Sequence, residues 1–181
     1  MTALLHVLRR WPTALAVGMA AATFGGTDLQ AKTAGYGEAL LILPLLYLTA
    51  ARLHNPRAAW PILAVSLAAV VGLGFAEVPA PAAVFAALAL AVLVWGAVRG
   101  ELNRRDEFGL QALGMVAFGA LALTGLVIDA EAGRYVVAAG WLLHGVWDFV
   151  HLYRDRVVVR SYAEWCGVID ILVAVELVFL L

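Results

Sequence analysis

The chain has 181 residues, 64% hydrophobic and 14% charged, with a net charge of −1 and a mean hydropathy of +0.92. A soluble domain is about half apolar and about a quarter charged, so this composition predicts an integral membrane protein rather than a soluble one. The absence of a basic stripe interleaved with aromatics excludes nucleic acid as a partner, and the single cysteine, Cys166, excludes an intrachain disulfide and a cysteine-only zinc cage.

A membrane-crossing helix needs about 20 mostly apolar residues. Seven stretches qualify or nearly qualify, at Trp11–Phe24, Tyr36–Leu53, Ala59–Phe75, Ala82–Val98, Phe108–Ile128, Tyr135–Tyr153 and Tyr162–Leu181. The first is the shortest; its basic start and the small residues Ala20–Ala22 also suit a signal peptide, but a first span is the expected reading. Pro44 inside the second stretch predicts a kink. Gly25-Gly26, Asn55-Pro56, Pro79-Ala80-Pro81 and Gly133 punctuate the connections. Links this short make neighbouring helices antiparallel. The expected fold is an all-α, polytopic membrane bundle of seven transmembrane helices forming one integral membrane domain over residues 1–181.

Charge sets the orientation. Arg9, Arg10, Arg52, Arg57, Arg99, Arg104, Arg105, Arg154, Arg156 and Arg160 all fall on one side of a seven-span chain. Only Lys32, in an expected outer loop, and Arg134 fall on the other. The positive-inside rule therefore predicts a cytoplasmic N-terminus, an outside C-terminus and a multi-pass protein of the cell membrane. Trp11, Trp60, Trp95 and Trp165 mark the cytoplasmic boundary as an aromatic belt would.

The sixth stretch breaks the apolar pattern. Trp141-Leu142-Leu143-His144-Gly145-Val146-Trp147-Asp148-Phe149-Val150-His151 sets His144 and Asp148 at i,i+4 and Asp148 and His151 at i,i+3, all on one helical face. Each ionisable group at the centre of a membrane helix costs roughly 2.5–3.5 kcal/mol on insertion scales, so such groups are rare and usually functional. The seventh stretch runs back beside the sixth. By depth, Asp170 should lie level with His144 and Glu164 level with His151, although six residues rotate the two acids about 120° apart. The candidate catalytic residues are thus His144, Asp148, His151, Asp170 and Glu164, and the candidate metal ligands are His144, Asp148 and His151. Imidazole and carboxylate together suit zinc, iron or manganese. His144 and His151 stand seven residues apart, about 10.5 Å along the axis, which disfavours one ion bridging both.

The other polar residues read more plainly. Glu38, Glu77 and Glu176 fall near the outer boundary, where carboxylates cost little, and Gln111 on the fifth stretch can bond its own helix backbone. Trp141 and Trp147 can donate indole N–H groups to a carboxylate. Gly140 and Gly145 flank the histidines and can leave room for a ligand tail.

Three functions follow from this pattern. The first is a membrane-embedded, metal-dependent enzyme acting on a lipid or isoprenoid, with zinc or iron as cofactor. The second is a small proton-coupled transporter, relaying protons outward from Asp170 toward Glu176 and Glu38. The third is an accessory subunit of a larger membrane complex. The expected partners are the lipid bilayer, a lipid-like small molecule, and a second copy or a membrane-complex subunit. The seven-span, N-inside plan is similar to that of adiponectin-receptor and alkaline-ceramidase-like hydrolases, which hold zinc near the cytoplasmic side with paired histidines in the last span. The seventh stretch here has no histidine, so the likeness is one of topology alone and assigns no residue.

Overall fold

The computed structural model describes residues 10–26, 28–76, 81–103 and 107–181. Arg9, Glu77, Pro79, Arg104 and Arg105, singled out above, lie outside them. Among the described residues the chain is all-α, with seven helices and no strands. They are α1 (Trp11–Thr23), α2 (Leu29–Leu53), α3 (Ala59–Phe75), α4 (Pro81–Val98), α5 (Glu107–Val127), α6 (Ala130–Arg154) and α7 (Arg160–Phe179). Single 3₁₀ turns at Pro56–Ala58 and Glu101–Asn103 complete the order.

Two helices begin earlier than their apolar runs. Asp28 Oδ1 accepts the Ala31 N–H at 2.9 Å, and Asp129 Oδ1 accepts the Ala132 N–H at 3.0 Å. Each aspartate is an N-cap that satisfies an orphan amide of the first turn. α2 therefore starts at Leu29 and α6 at Ala130, upstream of the expected Tyr36 and Tyr135. Lys32 consequently sits in the first turns of α2 rather than in a loop. The opposite ends close with left-handed residues, His54 at φ +50° and Asp155 at φ +52°. Gly25 and Gly26, at φ +99° and +97°, make the turn between α1 and α2 where a Cβ would be strained.

Four segments are long and apolar enough to cross a membrane: Leu29–Leu53, Pro56–Phe75, Pro81–Val98 and Glu107–Val127. α1 is too short at 13 residues, and α6 and α7, which carry the polar residues, fall short by composition. Burial ranks the four. In α2, 67% of the most apolar stretch is buried, against 11% around α3 and 17% in α4. α2 is the central helix, touching α3, α4, α5 and α6, while α1 packs on α7 and α6 packs most extensively on α7. α3 and α4 present Val65, Val71, Phe75, Leu90 and Val98 outward, an apolar surface that water does not stabilise.

Glycines set two close approaches. A Cβ on Gly133 would stand 2.5 Å from the Gly125 carbonyl oxygen, so α5 and α6 meet backbone to backbone there. A backbone oxygen cannot swing aside as a flexible side chain can. Gly133→Ala is therefore expected to destabilise the bundle by about 1–3 kcal/mol, the usual cost of overpacking, read as a lowered midpoint in denaturant titration of the purified protein. The second approach joins α6 to α7. A Cβ on Gly145 would meet Asp170 Cβ at 3.1 Å and the Gly167 carbonyl oxygen at 3.3 Å, and one on Gly167 would meet Asp148 Cβ at 3.2 Å. Gly145 and Gly167 thus let the two aspartate-bearing helices touch.

Candidate buried histidine and carboxylate centre

The α6–α7 contact places His144, Asp148, Cys166 and Asp170 together, each fully buried. One potential ligand atom from each lies within 4.8 Å of the others. His144 Nδ1 lies 2.8 Å from Asp170 Oδ2 and 3.2 Å from Asp148 Oδ2. With its proton on Nδ1 the ring donates to Asp170; with Nδ1 bare, that lone pair faces the two carboxylates and can take a cation. Asp148 Oδ2 is left without a hydrogen bond, as is His144 Nε2 on the far side of the ring. Tyr47, from the middle of α2, donates its hydroxyl to Asp148 Oδ1. Cys166 Sγ lies 3.7 Å from the Tyr162 hydroxyl and 3.9 Å from Asp170 Oδ1. Edge-on rings of Phe118 and Tyr47 pack on the imidazole, with centroids at 4.9 and 5.7 Å.

The charge balance of this pocket is its main chemical property. Two carboxylates face one imidazole in a place without exposed surface. With both aspartates ionised, even a protonated His144 leaves one negative charge uncompensated, and unpaired buried charge is strongly disfavoured. A divalent cation beside a neutral histidine balances the two carboxylates, while a Cys166 thiolate among the ligands would return the net charge to −1. The donors fit such an ion. Bonds of about 2.0–2.3 Å to a tetrahedral ion place ligand atoms about 3.3–3.8 Å apart; the separations here are 2.8, 3.2 and 3.9 Å, with all four atoms within 4.8 Å of one another. Imidazole, carboxylate and thiol together suit zinc or iron.

His151 and Glu164 stand apart from this cluster, against expectation. His151 Nδ1 donates to the Trp147 carbonyl at 2.9 Å, which leaves Nε2 as an acceptor for the Gln111 amide at 3.0 Å. The Gln111 carbonyl accepts the Trp147 indole N–H at 3.3 Å. The three residues form a closed ring of hydrogen bonds that occupies both imidazole nitrogens. Combined with the seven-residue offset from His144, this takes His151 out of the ligand set. Glu164 points to α1, where it accepts from Thr13 Oγ1 at 2.6 Å and pairs with Arg10 at 3.2 Å. The 120° rotation between it and Asp170 decides the matter, since Asp170 faces α6.

Several weaker expectations also change. Gln111 bonds across helices instead of to its own backbone. The Trp141 indole donates to the Tyr36 carbonyl at 3.0 Å, so neither Trp141 nor Trp147 reaches a carboxylate. Gly140 and Gly145 leave no room for a ligand tail, because Leu40 and the α7 backbone fill the space beside them. Replacing Gln111 by leucine leaves His151 Nε2 and the Trp147 indole unpartnered. A loss of about 1–3 kcal/mol is expected, checked by unfolding, together with a changed His151 nitrogen resonance in NMR spectra.

Glu176 departs furthest from its expected place at an inexpensive boundary. It is fully buried, paired with Lys32 Nζ at 2.7 Å, and accepts from the Tyr36 hydroxyl and, at 3.3 Å, from the Gly25 amide. Lys32 also donates to the Thr23 carbonyl. This second polar cluster is separated from Asp170 along α7 by buried Val173 and Ala174.

A cleft of about 1020 Å³ opens beside the first cluster between the ends of α5 and α6. Gln111 and His151 form its floor, Leu102, Leu110 and Leu113 line it, and Glu107, Arg154 and Arg156 stand at its mouth. Comparison of this chain with protein-family models, with curated proteins and with solved structures finds no match.

Proposed function

We propose that this chain is a multi-pass membrane protein, N-terminus cytoplasmic, built around a divalent transition-metal ion held by His144, Asp148, Cys166 and Asp170. The observation that carries the reading is the fully buried pair of aspartates facing one histidine, with Asp148 Oδ2 unpartnered and His144 Nδ1 within 3.2 Å of both carboxylates. The four apolar segments and the outward apolar surface of α3 and α4 support the membrane setting.

The function we assign to this centre is enzymatic, on a lipid or isoprenoid. A bound ion supplies Lewis acidity, polarising a carbonyl or phosphoryl oxygen. An octahedral ion keeps coordination positions beyond the four protein donors, whereas a tetrahedral one is closed by them. Tyr47 orients Asp148, and Phe118 packs against the imidazole, so the protein's own contribution is a fixed, dry donor set. Elemental analysis of the purified protein tests the reading. One zinc, iron or manganese ion per chain is expected, and protein that neither carries nor takes up such an ion overturns it.

A second reading, proton-coupled transport, draws on the buried Glu176–Lys32 pair. It places a second ionisable station on α7, six residues beyond Asp170. Proteoliposomes that dissipate an imposed pH gradient through the wild type, and not through a Glu176→Gln variant, would favour it over the enzyme.

A further inference from the structure

The cleft between α5 and α6 has a chemistry of its own. Its mouth carries two guanidinium groups, Arg154 in the last turn of α6 and Arg156 just beyond it. Arg156 reaches Glu107 only at 3.8 Å, beyond hydrogen-bond distance, and its side chain is 69% exposed. The countercharge is therefore loosely held. The walls are apolar, and Leu110 and Leu113 continue along one exposed face of α5 through Val116. The floor is polar but already satisfied, since Gln111 and His151 are tied into their ring with Trp147. A soluble ion would find cations but no reason for the long apolar wall. An acyl chain would find the wall but no reason for the cations.

We infer that this cleft binds one anionic phospholipid, its phosphate between Arg154 and Arg156 and one acyl chain along Leu110, Leu113 and Val116. Guanidinium groups match phosphate oxygens in a bidentate fork. In the proposed orientation both arginines lie at the cytoplasmic boundary, where anionic lipids concentrate. The volume suits a headgroup and the start of a chain. The inference rests on the membrane setting and not on the metal ion.

Native mass spectrometry of the detergent-purified chain, titrated with phosphatidylglycerol or phosphatidylcholine, tests it. The wild type is expected to retain one phosphatidylglycerol per chain and to bind phosphatidylcholine far more weakly. Arg154→Gln with Arg156→Gln should weaken phosphatidylglycerol binding about 30-fold, the product of two interfacial arginine contributions. Arg154→Lys with Arg156→Lys should keep most of the charge-dependent part. Equal retention of the two lipids, or retention untouched by the glutamine pair, overturns the inference. Competition by glycerol 3-phosphate as effective as by the lipid overturns it too, because it would mean a soluble-anion site. The metal content of the glutamine pair, measured on the same sample, should equal that of the wild type, which separates this inference from the metal centre.

Discussion

Asp170→Asn and Asp148→Asn should each lower metal affinity about 100-fold or more, given that outer-shell partners alone are worth 10–100-fold. Each substitution removes a charged donor from a set that must balance a divalent ion in a fully buried place. Glu164→Gln and His151→Ala should leave the metal content at the wild-type level, since Glu164 pairs with Arg10 and His151 is tied to Gln111. Equilibrium dialysis against zinc, iron and manganese reads all four variants. The same substitutions also separate a metal centre from simple interhelical bonding. Were the cluster only a polar contact between α6 and α7, removing one carboxylate charge would relieve repulsion between Asp148 and Asp170 and leave stability unchanged or higher. For a metal centre, the asparagine variants lose both the ion and the stability that binding adds to the folded state. Melting curves with and without a chelator show which sign holds.

Lys32→Ala should cost about 3–5 kcal/mol, the range for breaking a buried ion pair by removing one partner. Glu176 has no exposed surface, and Lys32 is the cation that faces it, at 2.7 Å. The Tyr36 hydroxyl and the Gly25 amide remain after the substitution, but neither carries a full charge. The double variant Lys32→Ala with Glu176→Gln should recover more than half of the loss, because a neutral amide keeps the two hydrogen bonds without the stranded charge. Unfolding in mixed micelles measures both. A Lys32→Ala protein as stable as the wild type would show that the pair does not hold α2 to α7.

The helices were legible in the sequence because their apolar runs are long and their breakers are sharp. Gly25-Gly26 and Asn55-Pro56 stand at or beside the observed ends, whereas Gly133 lies inside the first turn of α6. The early starts of α2 and α6 were less visible, since Asp28 and Asp129 cap polar turns that precede the apolar pattern. Half of the centre was legible too. The i,i+4 spacing of His144 and Asp148 is a property of one helix, and depth matching brought in Asp170. Tyr47 was not legible as a partner, because its contact with Asp148 crosses 101 residues and depends on how α2 is rotated. Cys166 carried a usable signal, lying four residues before Asp170 on the same face. Glu176 and Lys32 carried one as well: the single lysine of the chain and a carboxylate at the same expected depth invite pairing. What hid them was the assumption that groups near a membrane boundary are solvated.

The contact of α1 with α7 gives assembly an order in time. Thr13 and Glu164 are 151 residues apart, and Lys32 and Glu176 are 144 apart. At about 5–20 residues per second, a ribosome needs about 8–30 s to supply α7 after α1 has emerged. Through that interval α1 has no packed neighbour on this side, and Lys32 has no countercharge. The nascent bundle therefore advertises its incompleteness until the seventh helix arrives. A quality-control protease that recognises a stranded charge in a half-built bundle would have its signal removed in one closing step.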